Sequence, residues 1–503
     1  MNLTLDEIQN FKGKYPKQIW SLFFSEMWER FCFYGMRGML VFFMISQLNF
    51  QEKAATSQYA ATQAFVYAFT FVGGLFADKI LGFRKSLFWG GLLMIIGSLI
   101  LATNPHDFFF LGISFTVIGT GFFKPNISSM VGQLYKPNDS RADAGFSLFY
   151  AGINLGALLG GYLCIAIGKG EMLSKIIPEH KRWNVAFGLA AIVMLISLIN
   201  FVFTQKSLGT IGLQPGHPQN EEKSAPIPKW KEFGVYILSL IFIPIIMIMV
   251  SVPQYTNYFM ATVGPIVLIY FFFEISKVSP GERKKLWAAL VFILFSILFW
   301  GIYEQSGGTL SIFAAKNLNK DLLGLDPNGV NNSGGAFFII FLAPLIGLLW
   351  IWLSKRKLEP NTIIKFGLGF IFLGLGYYVL FATRLFADLQ GITSLNFFTL
   401  ALLVITLGEL CLSPIGLSIM TKLSTKNLQG MMMGMWFLAS AYGQYVAGIL
   451  GNHLATAEEG TSNFDAFMIY TNGYKQLGLY AVIAGVVLIL ISPLVKKLMQ
   501  EVK

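Results

Sequence analysis

Apolar residues gather in fourteen long runs, at roughly 18–49, 57–79, 85–104, 107–133, 141–168, 184–205, 232–252, 257–276, 285–315, 334–354, 363–386, 392–424, 428–452 and 472–498. Each is long enough to cross a hydrocarbon layer as a helix, which takes about 20 residues. Lipid offers the backbone no hydrogen-bonding partner, so only helices and closed barrels span it, and runs of this length predict helices. Between the sixth and seventh runs, the stretch from Lys206 to Lys231 is rich in Pro, Gly and charge and reads as a linker. The chain therefore divides into a six-helix bundle over 1–205, a linker over 206–231, two extra helices and their loop over 232–284, and a second six-helix bundle over 285–503. The extra helices carry almost no central polar residue and are expected to face lipid. No heptad, propeller or solenoid repeat is visible.

Composition strengthens this picture. Of 503 residues, 55% are hydrophobic and only 13% charged, against about 25% charged in a soluble domain. The surplus is too large for one soluble core. The net charge of +11 would suggest a nucleic-acid partner in a soluble protein. Here its distribution matters more. With the amino terminus placed in the cytoplasm, 25 of the 37 Lys and Arg fall in loops and span ends on that side and 9 on the other. That asymmetry follows the positive-inside rule and predicts both termini in the cytoplasm. The opening MNLTLDEIQNFKGKYPKQ lacks a charged start followed by a short apolar core, so the first apolar run is expected to be a span and not a removable signal. Cys32, Cys164 and Cys411 sit inside apolar runs without paired spacing, so neither a disulfide framework nor a zinc site is expected. No Ser/His/Asp set, metal cluster or phosphate loop has usable spacing, which leaves an enzyme little support.

Charged residues within the spans carry the functional signal, because each costs about 2.5–3.5 kcal/mol at mid-bilayer. In the first run, SEMWERFCFYGMRGML, a helical period places Glu26, Glu29, Arg30, Phe33 and Arg37 on one stripe, with Tyr34 at its edge. They either line a wet cavity or pair with one another; the alternative is an ion cluster that only packs helices. Lys124, in GTGFFKPNISSM, follows about fifteen apolar or small residues and either lines a cavity or snorkels to the interface. The adjacent Pro125 is expected to bend or break its helix. Trp300, Tyr303 and Glu304 share a face in the ninth run. Glu409 and Ser413 share one in the twelfth, with a Pro414 kink, and Trp436, Ser440 and Gly443 share one in the thirteenth. The first half thus supplies cations, Arg37 and Lys124, and the second supplies Glu409. A short peptide zwitterion matches that polarity, with its carboxylate on the cations and its amine on Glu409. All four histidines fall in loops or at span ends, so a driving proton is left to carboxylates, Glu26, Glu29 and Glu304 among them. Gly145, Gly152, Gly156 and Gly160 lie on one face of the fifth helix. Close helix packing and a surface for sliding are both open readings.

Several of these runs resemble a known family. Glu26-x-x-Glu29-Arg30-Phe31-x-x-Tyr34-Gly35 and Phe149-Tyr150-x-x-Ile153-Asn154-x-Gly156 are similar to signatures of the proton-dependent oligopeptide transporters. Gly73-Gly74-x-x-Ala77-Asp78-x-x-x-Gly82-x-Arg84-Lys85 resembles the loop motif of the wider major facilitator superfamily. Phe122 to Asn126, Gly408 to Leu410 with Pro414, and Gly434-x-Trp436-Phe437 also match. The resemblance implies an all-α polytopic membrane protein of the major facilitator fold, two six-helix bundles plus two accessory transmembrane helices, in a bacterial cytoplasmic (inner) membrane. It implies a monomer with no cofactor that takes up di- and tripeptides with protons by alternating access. Residue by residue, Glu26, Glu29 and Arg30 would form a proton-coupling cluster, and Glu304 would bridge to Arg37 or Lys124 as protonation changes. Arg37 and Lys124 would bind the peptide carboxylate, and Glu409 with Ser440 the amine. Tyr34, Tyr67, Asn154, Trp300 and Trp436 would line the pocket, while Asp78, Arg84 and Lys85 would lock the cytoplasmic gate. Two departures bear on selectivity. Gly335-Ala336 stands where many members have Asn-Pro, with Asn331 or Asn332 as replacements if the register shifts, and Phe33 replaces a frequent Tyr. The rivals are a same-fold symporter of another small anion or amphiphile, such as nitrate or a drug, and a membrane receptor that does not transport.

Overall fold

The computed structural model describes residues 4–136, 139, 141–217, 226–412, 416–424 and 428–500. Among them are fourteen long helices: α1 (Gln18–Ser46), α2 (Glu52–Phe76), α3 (Phe83–Thr103), α4 (Phe109–Gln133), α5 (Ala142–Gly168), α6 (Arg182–Thr204), α7 (Lys229–Ser251), α8 (Pro253–Lys277), α9 (Pro280–Tyr303), α10 (Pro327–Lys355), α11 (Thr362–Ala382), α12 (Leu395–Leu412), α13 (Gln429–Leu454) and α14 (Asn463–Met499). Eleven helical segments are long and apolar enough to cross a membrane by composition alone. Helices α1, α4 and α13 are not among these. Two of them, α1 and α4, carry the charges that mark the candidate site.

Two compact units emerge, Met1–Met39 with Phe65–Ser251, and Leu40–Ala64 with Val252–Lys503. The chain passes from one unit to the other within α1, within α2 and between α7 and α8, so the two accessory helices belong to different units. In the first unit α7 buries one stripe, Val235, Ser239, Ile243, Ile246 and Val250. Trp89 of α3 donates to the Ser239 hydroxyl at 3.0 Å. The opposite face, with Ile237, Ile241 and Ile248 at least half exposed, suits lipid. In the second unit α8 is held by Tyr445, whose hydroxyl donates to Asn257 at 2.9 Å.

Helix α1 is clamped by its neighbours. On α6, Ser197 donates to the Ser25 carbonyl at 2.6 Å, and Asn200 donates to the Ser21 carbonyl at 3.0 Å and the Ser25 hydroxyl at 2.8 Å. On α5 the glycine face works as a packing groove. A methyl group on Gly156 would stand 2.1 Å from the Met27 carbonyl oxygen, and one on Gly160 2.1 Å from that of Phe31. Gly156→Ala is therefore expected to destabilise the protein by about 1–3 kcal/mol through overpacking. Thermal unfolding in detergent checks this, with Gly132→Ala, whose nearest neighbour lies 3.6 Å away, as the near-neutral control.

The observed elements depart from the apolar pattern in several places. The run 285–315 is two helices, α9 and a short Thr309–Asn317, broken across Glu304–Gly308. Helix α10 begins at Pro327 and not near 334, because Asp326 caps it by accepting the Gly329 N–H at 2.8 Å and Pro327 suits the first helical position. Helix α14 begins at Asn463, capped by Ser462. Pro125 does not break α4, which continues to Gln133. Past α6, the first part of the linker is not free chain. Arg84 donates to the carbonyls of Ile211 at 2.7 Å and Gly209 at 2.6 Å, which fold residues 209–214 back onto the loop before α3. Gly82 makes the turn there, with φ of 74°. Outside the spans, hydrogen bonds from the Arg141 side chain and backbone hold the Asp139 carboxyl below its ordinary range and tie the start of α5.

Candidate functional site

In the first unit, Glu26, Glu29 and Arg30 form a closed cluster, each about 1% exposed or less. The Arg30 guanidinium reaches Glu26 at 3.2 Å and pairs closely with Glu29. Its plane lies over the Phe33 ring, 5.1 Å from the centroid. The helical period places these side chains together, and the glycine groove of α5 lets α1 come close enough to bury them. The cluster is buried and internally paired. It is also incomplete. Glu26 Oε2, Glu29 Oε1 and Arg30 Nη2 have no hydrogen-bond partner among the described residues. Two carboxylates against one guanidinium leave one negative charge uncompensated, which a bound proton or the nearby Lys124 can cancel.

The other cations of this unit stand against aromatic faces. Lys124 Nζ lies 4.3 Å from the Tyr67 ring centroid and Arg37 lies 5.7 Å from that of Tyr34. Aromatic faces attract a cation without neutralising it. Asn154 is buried and turns its amide onto its own helix, donating to the Tyr150 carbonyl at 2.9 Å. The gate residues separate. Lys85 pairs with Glu232 of α7 at 2.7 Å and donates to Gln214 at 3.2 Å, while Arg84 holds the linker. Asp78 is exposed and takes no part in this network.

The second unit holds the other half of the candidate set. Glu304 ends α9 and lies in the break, 6% exposed. It faces a small interior space also lined by Thr56, Tyr59, Gln305 and Gln444. Tyr303 donates a short hydrogen bond to Glu409 of α12. Sequence reasoning set Tyr303 beside Trp300 and Glu304 but did not find this partner. Trp300 packs edge-on against Tyr303 at 5.2 Å. Gly443 of α13 lets Trp300 approach: a methyl group there would stand 2.6 Å from the Trp300 Cβ. Trp436 is buried, and the Ser440 hydroxyl donates to the Trp436 carbonyl of its own helix at 3.4 Å. Ser413 and Pro414 lie outside the described residues. On α10, Asn331 donates to the Ser306 carbonyl at 2.6 Å and Asn332 to the Asn328 carbonyl at 2.9 Å, while Asn331 Oδ1 is buried without a hydrogen-bond partner among the described residues. Beside them Gly335 leaves space: a methyl group there would meet only Thr406 and Tyr303 hydroxyls, at 3.9 and 4.0 Å.

These buried charges sit in a chain with known relatives. A profile of the POT family matches residues 84–467. The chain belongs to the POT family. The peptide transporter YePEPT of Yersinia enterocolitica is 32% identical across 97% of this chain and 96% of its own length. The di-/tripeptide transporter of Lactococcus lactis is 31% identical across 97% of each. The crystal structure of peptide transporter POT in complex with sulfate aligns with a TM-score of 0.82 at 31% identity, covering 99% of this chain and 100% of that one. The chain is accordingly a multi-pass, all-helical membrane protein with the major facilitator architecture of POT transporters.

Within a POT protein the Tyr303–Glu409 pair has a direct consequence. A hydrogen bond to a charged group contributes about 1.5–3 kcal/mol. Tyr303→Phe is expected to raise the half-saturating dipeptide concentration roughly tenfold, with the maximal rate little changed. Uptake kinetics in proteoliposomes measure both.

Proposed function

We propose that this protein is a proton-coupled symporter that brings di- and tripeptides across a bacterial cytoplasmic membrane by alternating access, acting as a monomer with both termini in the cytoplasm and with the proton as its only coupling species. One observation carries the reading. Net mid-span charge differs in sign between the two units: in the first, Arg30, Arg37 and Lys124 outnumber Glu26 and Glu29, while the second holds Glu304 and Glu409. A peptide has its carboxylate and its amine at opposite ends, and a major facilitator protein binds substrate near the bilayer midplane between its two halves. Arg37 and Lys124 bind the carboxylate and Glu409, held by Tyr303, binds the amine, while Tyr34, Tyr67, Asn154, Trp300 and Trp436 shape the space. Glu26, Glu29, Arg30, Lys124 and Glu304 carry the coupling charge, because a buried carboxylate can exchange a cationic partner for a proton without leaving net charge unpaired. Lys85 and Glu232 hold the cytoplasmic end, together with Arg84.

Competition decides among substrates. Uptake of a labelled dipeptide by proteoliposomes is expected to fall when unlabelled dialanine is added and to stand unchanged when nitrate is added. Inhibition by nitrate but not by dialanine would overturn the peptide reading. Arg37→Ala is expected to abolish that uptake, and an Arg37→Ala protein with intact dipeptide affinity would remove the carboxylate site from this account.

A further inference from the structure

We propose that Gln305 is a positioning residue for the coupling proton, holding the Glu304 carboxyl out of the helix and facing its pocket. The inference rests on the reading that Glu304 carries that proton. A helix that stops inside a membrane leaves carbonyls without partners, which is costly unless something supplies donors. Here one side chain does so. Gln305, 1% exposed, donates from Nε2 to the Gly301 carbonyl of α9 at 3.3 Å and to the Ala447 carbonyl of α13 at 2.9 Å. Its Oε1 accepts the Thr309 hydroxyl of the following short helix at 2.9 Å. Its backbone carbonyl accepts the N–H groups of Gly308 and Leu310, both at 3.0 Å. One amide thus ties together the end of α9, the start of the next helix and the wall formed by α13.

Glu304 is the residue released by this arrangement. Its backbone leaves the helix at φ −79° and ψ 42°, and the residue lines a small space with Thr56, Tyr59, Gln444 and Gln305 itself. Thr56 Oγ1 and Gln444 Oε1 in that pocket are buried without hydrogen-bond partners. Two hydrogen-bonding atoms of residues that share this space with Glu304 thus stand unsatisfied among the described residues, which suits a neighbour whose proton occupancy changes. Without Gln305, the break loses three side-chain hydrogen bonds, and Glu304 is free to rejoin the helix or to turn from the pocket.

Three proteins reconstituted side by side test this: Gln305→Leu, Gln305→Glu and Glu304→Gln. Gln305→Leu is expected to lose about tenfold in pH-gradient-driven dialanine accumulation and to show a displaced pH profile, while counterflow exchange stays within about twofold. Gln305→Glu is expected to be impaired near neutrality and to recover as pH falls, because a protonated carboxyl regains a donor for the Ala447 carbonyl. Wild-type accumulation and pH profile in Gln305→Leu would overturn the proposal. So would accumulation and counterflow falling together with an unchanged profile, which marks a purely structural residue. If Gln305→Leu does not fold, Gln305→Glu decides: a defect that does not change with pH, or no defect, overturns the role. Glu304→Gln reports separately on the underlying reading, because retained gradient-driven accumulation there overturns the coupling role of Glu304 whatever the Gln305 proteins do.

Discussion

Glu304→Gln abolishes pH-gradient-driven accumulation of dipeptide while peptide-for-peptide exchange continues. This is the expected result if Glu304 is where the proton binds. Glutamine keeps the size and hydrogen-bonding capacity of the protonated acid but never ionises, so the site is fixed in one protonation state while the protein can still alternate with peptide bound. One proton crossing 100 mV gains about 2.3 kcal/mol, enough for roughly fiftyfold accumulation of peptide at 1.36 kcal/mol per decade. The variant loses that factor and equilibrates peptide at equal concentrations. Exchange survives because the binding groups, Arg37, Lys124 and Glu409, are untouched. Labelled dialanine uptake with and without an imposed pH gradient, together with counterflow, reads both quantities.

Arg30→Met is expected to be the most destabilising single change within the first unit. The guanidinium is the shared partner of two carboxylates, Glu26 at 3.2 Å and Glu29 in close contact, and all three are about 1% exposed or less. Removing one member of a buried ion pair costs about 3–5 kcal/mol, since the remaining charge has neither partner nor solvent. Thermal unfolding in detergent measures the loss. Adding Glu26→Gln and Glu29→Gln removes the uncompensated charge and is expected to restore most of the stability, because neutral groups of the same shape replace a buried ionic cluster at little cost. Transport separates fold from function. The triple variant is expected to be stable and uncoupled. A triple variant that accumulates dipeptide normally would leave the cluster with packing alone.

Much of the architecture was legible because lipid restricts the choices. Every long apolar run holds a long helix, and the stripe of Glu26, Glu29 and Arg30 followed from the helical period, since one helix fixes which of its own residues meet. The break at Glu304 was hidden because apolar residues continue on both sides of it. The local signal was Gln305-Ser306-Gly307-Gly308, a polar and glycine-rich interruption inside a span. Likewise the first two turns of α10, rich in Asn, Ser and Gly, resembled a loop, although Asp326 and Pro327 marked a helix start. The bond between Tyr303 and Glu409 joins residues 106 positions apart, and the amides of Asn154, Asn331 and Asn332 turned to nearby carbonyls. No one-dimensional period reports such choices. They depend on which neighbour arrives first with a free acceptor.

The most direct measurement is the pH inside proteoliposomes as dialanine is added outside to the wild-type protein, with a trapped fluorescent indicator. Proton-coupled uptake predicts acidification of the interior that requires dialanine and saturates with it. Labelled dialanine entering while the internal pH holds constant would contradict the account.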